Sequence, residues 1–343
     1  MAARFGFQTV PERIFRQLLR RGPSVGESSS INRVSSQPHR TYRAAVCTEL
    51  KKPLVLQDLQ ATELKPAEVR VSVHCCGVNF ADILACQGLY QEKPPLPFTP
   101  GMEFSGCVVE TGSNVTTVQE VLWKIPEEVG YEEAAALPVS YGTGLLALQH
   151  RAATQPGETV LVTAAAGGAG LAAVDIAAHV LQAKVIAAAG SDEKCALAVQ
   201  KGAYASINYN TSNLKEELKK LTNKKGVNVV FDAVGGDIFK DTLSSLSWEG
   251  RILVVGFAGG SIPSVPANLL LLKNISAMGV FWGRYREQDF PVFSQSISRA
   301  VQLCQEGKIR PHIGAVFKLQ QVNEAFLQVM QRASVGKVVL SMK

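Results

Sequence analysis

Six short apolar runs, each followed by a helix-period stretch, dominate the second half of the chain. They are TVLVTAA (159–165), AKVIAAAG (183–190), ASINY (205–209), VNVVFDAVG (227–235), GRILVVGF (250–257) and ISAMGVFW (275–282). Continuous apolar strands separated by helices such as SDEKCALAVQKG (191–202) and NLKEELKKLTNK (213–224) predict a parallel sheet covered on both faces, joined by right-handed crossovers. The first half has another texture. EVRVSVHCCGVNF (68–80) alternates, with Val69, Val71 and Val73 on one face and Arg70, Ser72 and His74 on the other. Further strands are predicted in YRAAVCTEL, KKPLVLQDLQ and EFSGCVVETGS, short helices in NFADILACQG and in YEEAAALPVSYGTGLLALQHRA with a break at Pro138, and a barrel-like domain overall. After 282 come a helix, FPVFSQSISRAVQLCQEGKI, and two strands, GAVFKL and GKVVLSMK, that return to the first domain.

The first apolar run ends in a glycine turn that opens a helix, AAAGGAGLAAVDIAAHVLQ. Strand, glycine turn and helix place free backbone N–H groups where a dinucleotide pyrophosphate sits. The fingerprint reads A-x-G-x-x-G on Ala165, Gly167 and Gly170, with Ala166, Gly168 and Ala169 completing the turn. Gly167 leaves room for the pyrophosphate and Gly170 lets helix and strand approach. A tight turn in another α/β protein is the plainer reading of such a triplet.

At 343 residues, 46% hydrophobic and 19% charged, the composition is that of a two-domain globular protein. No run approaches the roughly 18 apolar residues of a membrane helix. The formal charge of +6 suggests nucleic acid until it is located. Residues 1–43 hold eight of the 35 basic residues, all arginine, and two of the 29 acidic ones, Glu12 and Glu27, so the rest of the chain is balanced. An Arg- and Ser-rich arm containing PERIFRQLLRR, which can form a short amphipathic helix, reads as a mitochondrial transit peptide or a disordered basic arm. Seven cysteines without a C-x-x-C pair suggest reduced thiols. His74, Cys75 and Cys76 point to alternating faces of a strand and cannot converge on a metal.

The motifs GVNFAD (77–82), PFTPGMEFSG (97–106), LPVSYGT (137–143), AAAGGAG (164–170), FDAVGG (231–236) and GRILVVGFAGG (250–260) together resemble the quinone oxidoreductase (ζ-crystallin-like) family of medium-chain dehydrogenases/reductases, from about 42 to 343. The resemblance implies an α/β fold in which a Rossmann doubly wound parallel sheet is inserted into a GroES-like β-barrel catalytic domain. It places a disordered or transit arm at 1–41, the first catalytic part at 42–138, the Rossmann NADP-binding domain at 139–282 and the catalytic return at 283–343. It also implies a homodimer, pairing the strand in ISAMGVFW across a two-fold axis. Zinc-dependent relatives have a ligand cysteine where this chain has Asn79 and a ligand histidine where it has Met102; Glu103 alone does not make a site that needs about three ligands. The expected chemistry is zinc-independent hydride transfer to a quinone or another α,β-unsaturated carbonyl.

An acidic residue that would bond the ribose 2′-OH of NAD is absent at the end of the second strand, where Gly190, Ser191 and Lys194 suit a 2′-phosphate instead. NADPH is therefore the expected cofactor, although Lys194 also reads as a solvated helix lysine. Asp192 reads as a helix-dipole residue. By resemblance Tyr209 lies on the adenine side, or simply packs; Val234, Phe257, Ala258 and Gly259 line the groove. Asn79, near the nicotinamide, bonds the substrate carbonyl or the ribose, or is a turn residue. Tyr90 donates to the developing enolate or quinol oxygen, or packs in its loop. Thr143 supplies a nicotinamide-side hydroxyl. Asp82 is expected to orient its helix and Cys195 to lie in the core.

The chain departs from the family between Gln119 and Trp123. TTVQ runs through Glu120 into VLWKIPE, and a segment of about thirty residues expected in a two-domain chain of this kind is missing near 119–122. Barrel strands, and with them part of the substrate cleft, are shortened. A 2-enoyl thioester reductase and a non-catalytic NADPH-binding (structural or RNA-associated) protein are the alternatives.

Overall fold

The computed structural model describes residues 18–20, 40–115 and 122–343. The stretch 116–121 and the expected arm lie outside the described residues, apart from 18–20, 40 and 41 of the arm. Within the arm an expectation is corrected: Leu18–Arg20 form a strand (β1), not part of a helix.

The first part of the chain continues with β2 (Thr41–Val46), β3 (Val55–Gln60), β4 (Val69–Val78), α1 (Phe80–Cys86), β5 (Phe104–Thr111) and β6 (Trp123–Lys124). Two helices follow, α2 (Tyr131–Ala136) and α3 (Pro138–Leu145). They are separated at Pro138, which lacks the N–H that a continuous helix needs but suits a first helical turn.

The next stretch alternates strand and helix: β7 (Thr159–Val162), α4 (Gly168–Asp175), β8 (Lys184–Ala189), α5 (Asp192–Gln200), β9 (Ala205–Asn208), α6 (Leu214–Leu221), β10 (Val227–Asp232), α7 (Gly236–Ser244), β11 (Leu246–Val254), α8 (Ala267–Lys273) and β12 (Ser276–Gly279). The six strands pair in parallel in the order β12-β11-β10-β7-β8-β9. Their apolar runs are continuous because both faces are covered. Val160, Val162 and Phe231 pack into one core, while Leu161, Val230 and Ile186 pack into another on the opposite face. Burying each such side chain stabilises the fold by about 1.5–3 kcal/mol.

The chain ends in α9 (Trp282–Gln288), α10 (Phe290–Gln305), β13 (Ile313–Lys318), α11 (Val322–Met330) and β14 (Lys337–Ser341). β14 pairs antiparallel with β4, so the C-terminus re-enters the first sheet. That sheet runs β13-β14-β4-β5-β1-β6, and β2-β3 form a separate pair. Among the described residues the barrel is not closed. β1 lies parallel to both β5 and β6 and fills the space between them.

Candidate functional site

β7 and β10 are neighbours from which the chain leaves in opposite directions, and ligands of such sheets bind at the carboxyl ends of the strands at this reversal. Two side chains hold the turns there. Thr163 Oγ1 donates to Asp232 Oδ1 at 2.7 Å, and Asp232 Oδ2 accepts from the Gly235 N–H at 2.9 Å. Asp232 is buried, and desolvation raises its carboxyl above the ordinary value despite these donors.

The glycine turn leaves β7 through Ala164, which takes a positive φ of 47° and reverses the chain. Gly167 caps α4 in an extended conformation. A Cβ on Gly170 would lie 2.2 Å from the Ala164 carbonyl oxygen, so only glycine permits this helix to pack on this turn. Ala165 and Ala166 are buried beneath it. The first-turn N–H groups of α4, with Gly168 and Ala169, have no helical acceptor and suit a pyrophosphate. The turn is also anchored from far along the chain, since the Gly336 N–H donates to Ala166 O at 2.7 Å and Gly336 bridges Gly167.

At the other end of the cradle, Gly190 packs under Tyr209, whose hydroxyl oxygen would lie 3.6 Å from a Cβ placed there. Ser191 caps α5 and accepts from the Lys194 N–H at 3.4 Å. Lys194 Nζ donates to the Arg332 carbonyl at 2.8 Å. Burial raises the Tyr209 phenol, and the nearby Arg332 charge acts the other way. Lys194, Arg332 and Tyr209 therefore gather at one corner. Asp192 accepts from Asn208 Nδ2 at 2.8 Å. Phe257 and Ala258 follow β11 and pack on the β10 loop: the Ala258 and Gly259 N–H groups donate to Ala233 and Val234 at 2.9 and 2.8 Å. Cys195 is buried, and desolvation raises its thiol.

A buried polar cluster forms around Asn79. Asn79 caps α1, and its N–H donates to Asp82 Oδ2 at 2.8 Å, so Asp82 orients the helix. Burial pushes Asp82 up to about 7; Glu103 adds to the rise, while Lys337 and donors from Asn79 and Gly101 oppose it. Asn79 Nδ2 donates to Glu103 Oε1 at 2.9 Å, and its Oδ1 accepts from Lys337 Nζ at 2.6 Å. Glu103 Oε1 also pairs with Lys337, and Oε2 accepts the Val139 N–H at 2.8 Å. Thr143 is buried on α3, one turn beyond Ser140. Tyr90 faces Phe281 edge-on at 6.4 Å between centroids. Burial, then Glu92 and Asp82, push its phenol up to about 12, so it stays protonated. The sequence did not single out Lys337, Arg332, Asp232 or the buried role of Glu103. The one local signal was a lysine opening the apolar strand GKVVL.

The chain is similar to known proteins in sequence and fold. Residues 65–123 match the alcohol dehydrogenase GroES-like domain, and 168–299 match the zinc-binding dehydrogenase family. The bovine quinone oxidoreductase-like protein 2 is 63% identical over 326 residues, spanning 89% of this chain and 93% of that protein. The chain belongs to the quinone oxidoreductase family of medium-chain dehydrogenases/reductases. A homolog of quinone oxidoreductase-like protein 2 from Nematostella vectensis is 46% identical over 98% of this chain and 99% of its own. The quinone oxidoreductase of Thermus thermophilus, whose structures include a complex with NADPH, superposes with a TM-score of 0.77 at 32% identity, over 88% of this chain and all of that one. The bovine alignment is longer than the share of this chain it occupies, so that relative carries residues without a counterpart here.

Within this family the zinc question turns on the donor set. Glu103 is committed to Lys337, Asn79 and Val139, and among the described residues no three His, Cys, Asp or Glu side chains are placed to hold a metal ion. Among the described residues, the Glu103 cluster does not make a zinc site.

Proposed function

We propose that this chain is a zinc-independent, NADPH-dependent oxidoreductase that reduces a quinone or another α,β-unsaturated carbonyl. Bound NADPH supplies the hydride. The observation that carries the reading is the cradle with two differentiated ends: two cationic side chains, Lys194 and Arg332, at one, and the buried Asn79 cluster beside a protonated Tyr90 at the other. The α4 N-terminus, with Ala166 to Gly170, would hold the pyrophosphate, and Lys194 and Arg332 the 2′-phosphate. Tyr209 would pack on the adenine, with Val234, Phe257 and Ala258 along the groove. Tyr90 would donate to the substrate oxygen that gains negative charge, a role suited to a phenol that holds its proton. Such an acceptor delocalises its own charge and needs no Lewis acid.

The test follows NADPH absorbance with an ortho-quinone, with NADH in parallel. Consumption of NADPH in preference to NADH is expected. NADPH binding without turnover of any quinone or enone would instead favour the non-catalytic alternative.

Two further parts of the proposal concern assembly and location. The outer edge of β12 has no partner among the described strands, and Ile262, Leu271 and Leu272 are largely exposed nearby. A second copy pairing β12 with β12 covers both, and equilibrium sedimentation should give a dimer. The Arg-rich arm supports import into mitochondria; the mature N-terminus in the matrix should then lie beyond Arg20. Cleavage there would remove β1 from between β5 and β6.

A further inference from the structure

Lys337 is the one basic residue buried among the described residues. Its ammonium contacts the Glu103 carboxylate, Asn79 Oδ1 at 2.6 Å and Ser140 Oγ at 3.4 Å, so its three donors meet three acceptors. A buried ion pair of this kind is a weak source of stability, because desolvation offsets most of the attraction. What it does provide is orientation. An ammonium only donates and a carboxylate only accepts. The Asn79 amide therefore has one arrangement, Oδ1 toward Lys337 and Nδ2 toward Glu103. Its second amide proton has the Gly77 carbonyl at 3.5 Å. The amide is left with a spare lone pair on Oδ1 and no well-placed free donor. A hydroxyl group can use that lone pair; a substrate carbonyl cannot.

Lys337 also reaches the cofactor cradle. It follows Gly336, which is bonded to the glycine turn, and its Cδ lies 3.4 Å from where a Gly168 Cβ would be, at the first residue of α4. One side chain thus links the pyrophosphate turn to the amide of Asn79. We propose that Lys337 is a positioning residue that locks Asn79 as an acceptor for a hydroxyl of the nicotinamide-side ribose, so that NADPH affinity depends on Lys337 through Asn79. The proposal rests on the NADPH reading above and assigns Asn79 to the ribose rather than to the substrate carbonyl.

The experiment titrates NADPH by nicotinamide fluorescence and measures quinone turnover for the wild type, Asn79→Ala, Lys337→Met, Lys337→Met/Glu103→Gln and the triple variant. Lys337→Met alone strands a buried carboxylate and is expected to destabilise the fold. The double variant removes both charges, and its thermal midpoint should return toward that of the wild type. Its NADPH affinity should nevertheless stay down about tenfold, a coupling ordinary for contacting residues. In the Asn79→Ala background the same double change should cause no further loss. A double variant that binds NADPH like the wild type, or losses that multiply in the triple variant, would overturn the proposal. A wild-type chain that does not bind NADPH overturns both readings. One that binds NADPH without reducing quinones overturns the proposed activity alone, and the affinities still decide the role of Lys337.

Discussion

Thr163 and Asp232, 69 residues apart, share a 2.7 Å hydrogen bond across the two strands at which the parallel sheet reverses. Asp232 then caps its own loop through Gly235, and Thr163 Oγ1 accepts the Ala233 N–H at 3.1 Å. Replacing Asp232 by alanine should strand these donors in a buried site and destabilise the chain by about 2 kcal/mol. Thr163→Val should show a smaller loss. Urea midpoints of the two variants and their combination check this, and the combined loss should fall short of the sum because the residues touch.

Lys194 Nζ meets the Arg332 carbonyl across 138 residues of sequence, at the corner proposed to take the 2′-phosphate. Removing either cation should weaken NADPH by about tenfold, the size of one charge-assisted hydrogen bond. NADH, which lacks the phosphate, should be nearly unaffected. Parallel titrations of Lys194→Ala and Arg332→Ala with both dinucleotides measure the preference. An unchanged NADPH/NADH ratio in both variants would remove the phosphate assignment.

Tyr90→Phe keeps the edge-on packing against Phe281 and deletes only the hydroxyl. If that hydroxyl serves as the proton donor, kcat should fall about a hundredfold, with NADPH affinity unchanged. With its phenol pushed up to about 12, Tyr90 should impose no alkaline limb on the rate at neutral to moderately basic pH. Steady-state kinetics across that range give both results.

Asp82 makes stability depend on pH. Burial raises its carboxyl from 3.8 to about 7. The folded chain keeps this proton where the unfolded chain has lost it. The contribution is therefore full below about pH 4 and is lost as pH rises through about 7. Asp82→Asn should flatten this part of the profile while keeping an acceptor for the Asn79 N–H. Urea unfolding at about pH 5 and about pH 8 compares the two chains. A slope of the same size in both would show that another group sets it.

Much of the cofactor half was legible because its signals are local. The glycine turn, the cap at Ser191 and the six apolar strands each lie within a few residues, and backbone geometry ties such spacing to structure. The Asn79 cluster was only partly legible. Asn79, Asp82 and Tyr90 sit close in sequence, but Lys337 joins Asn79 across 258 residues and Arg332 joins Lys194 across 138. Arg332 carries no periodic or motif signal, and Lys337 only its place at the opening of the apolar strand GKVVL.

The arm shows the opposite limit. Its composition suggested a helix, whereas Leu18–Arg20 pair as a strand between β5 and β6. Propensity over a few residues yields when an open sheet edge offers backbone partners. By itself, then, the sequence determined the parallel sheet, the pyrophosphate turn and the small residues it needs, since these follow from chain-local sterics and burial. The tertiary structure alone decided which groups meet: the Lys337 ammonium with the Glu103 carboxylate and Asn79 Oδ1, and the Lys194 ammonium with the Arg332 carbonyl. The physical reason is that burial makes an ion choose a partner by proximity in space, and that proximity is set by the return of the C-terminal strand into the first sheet.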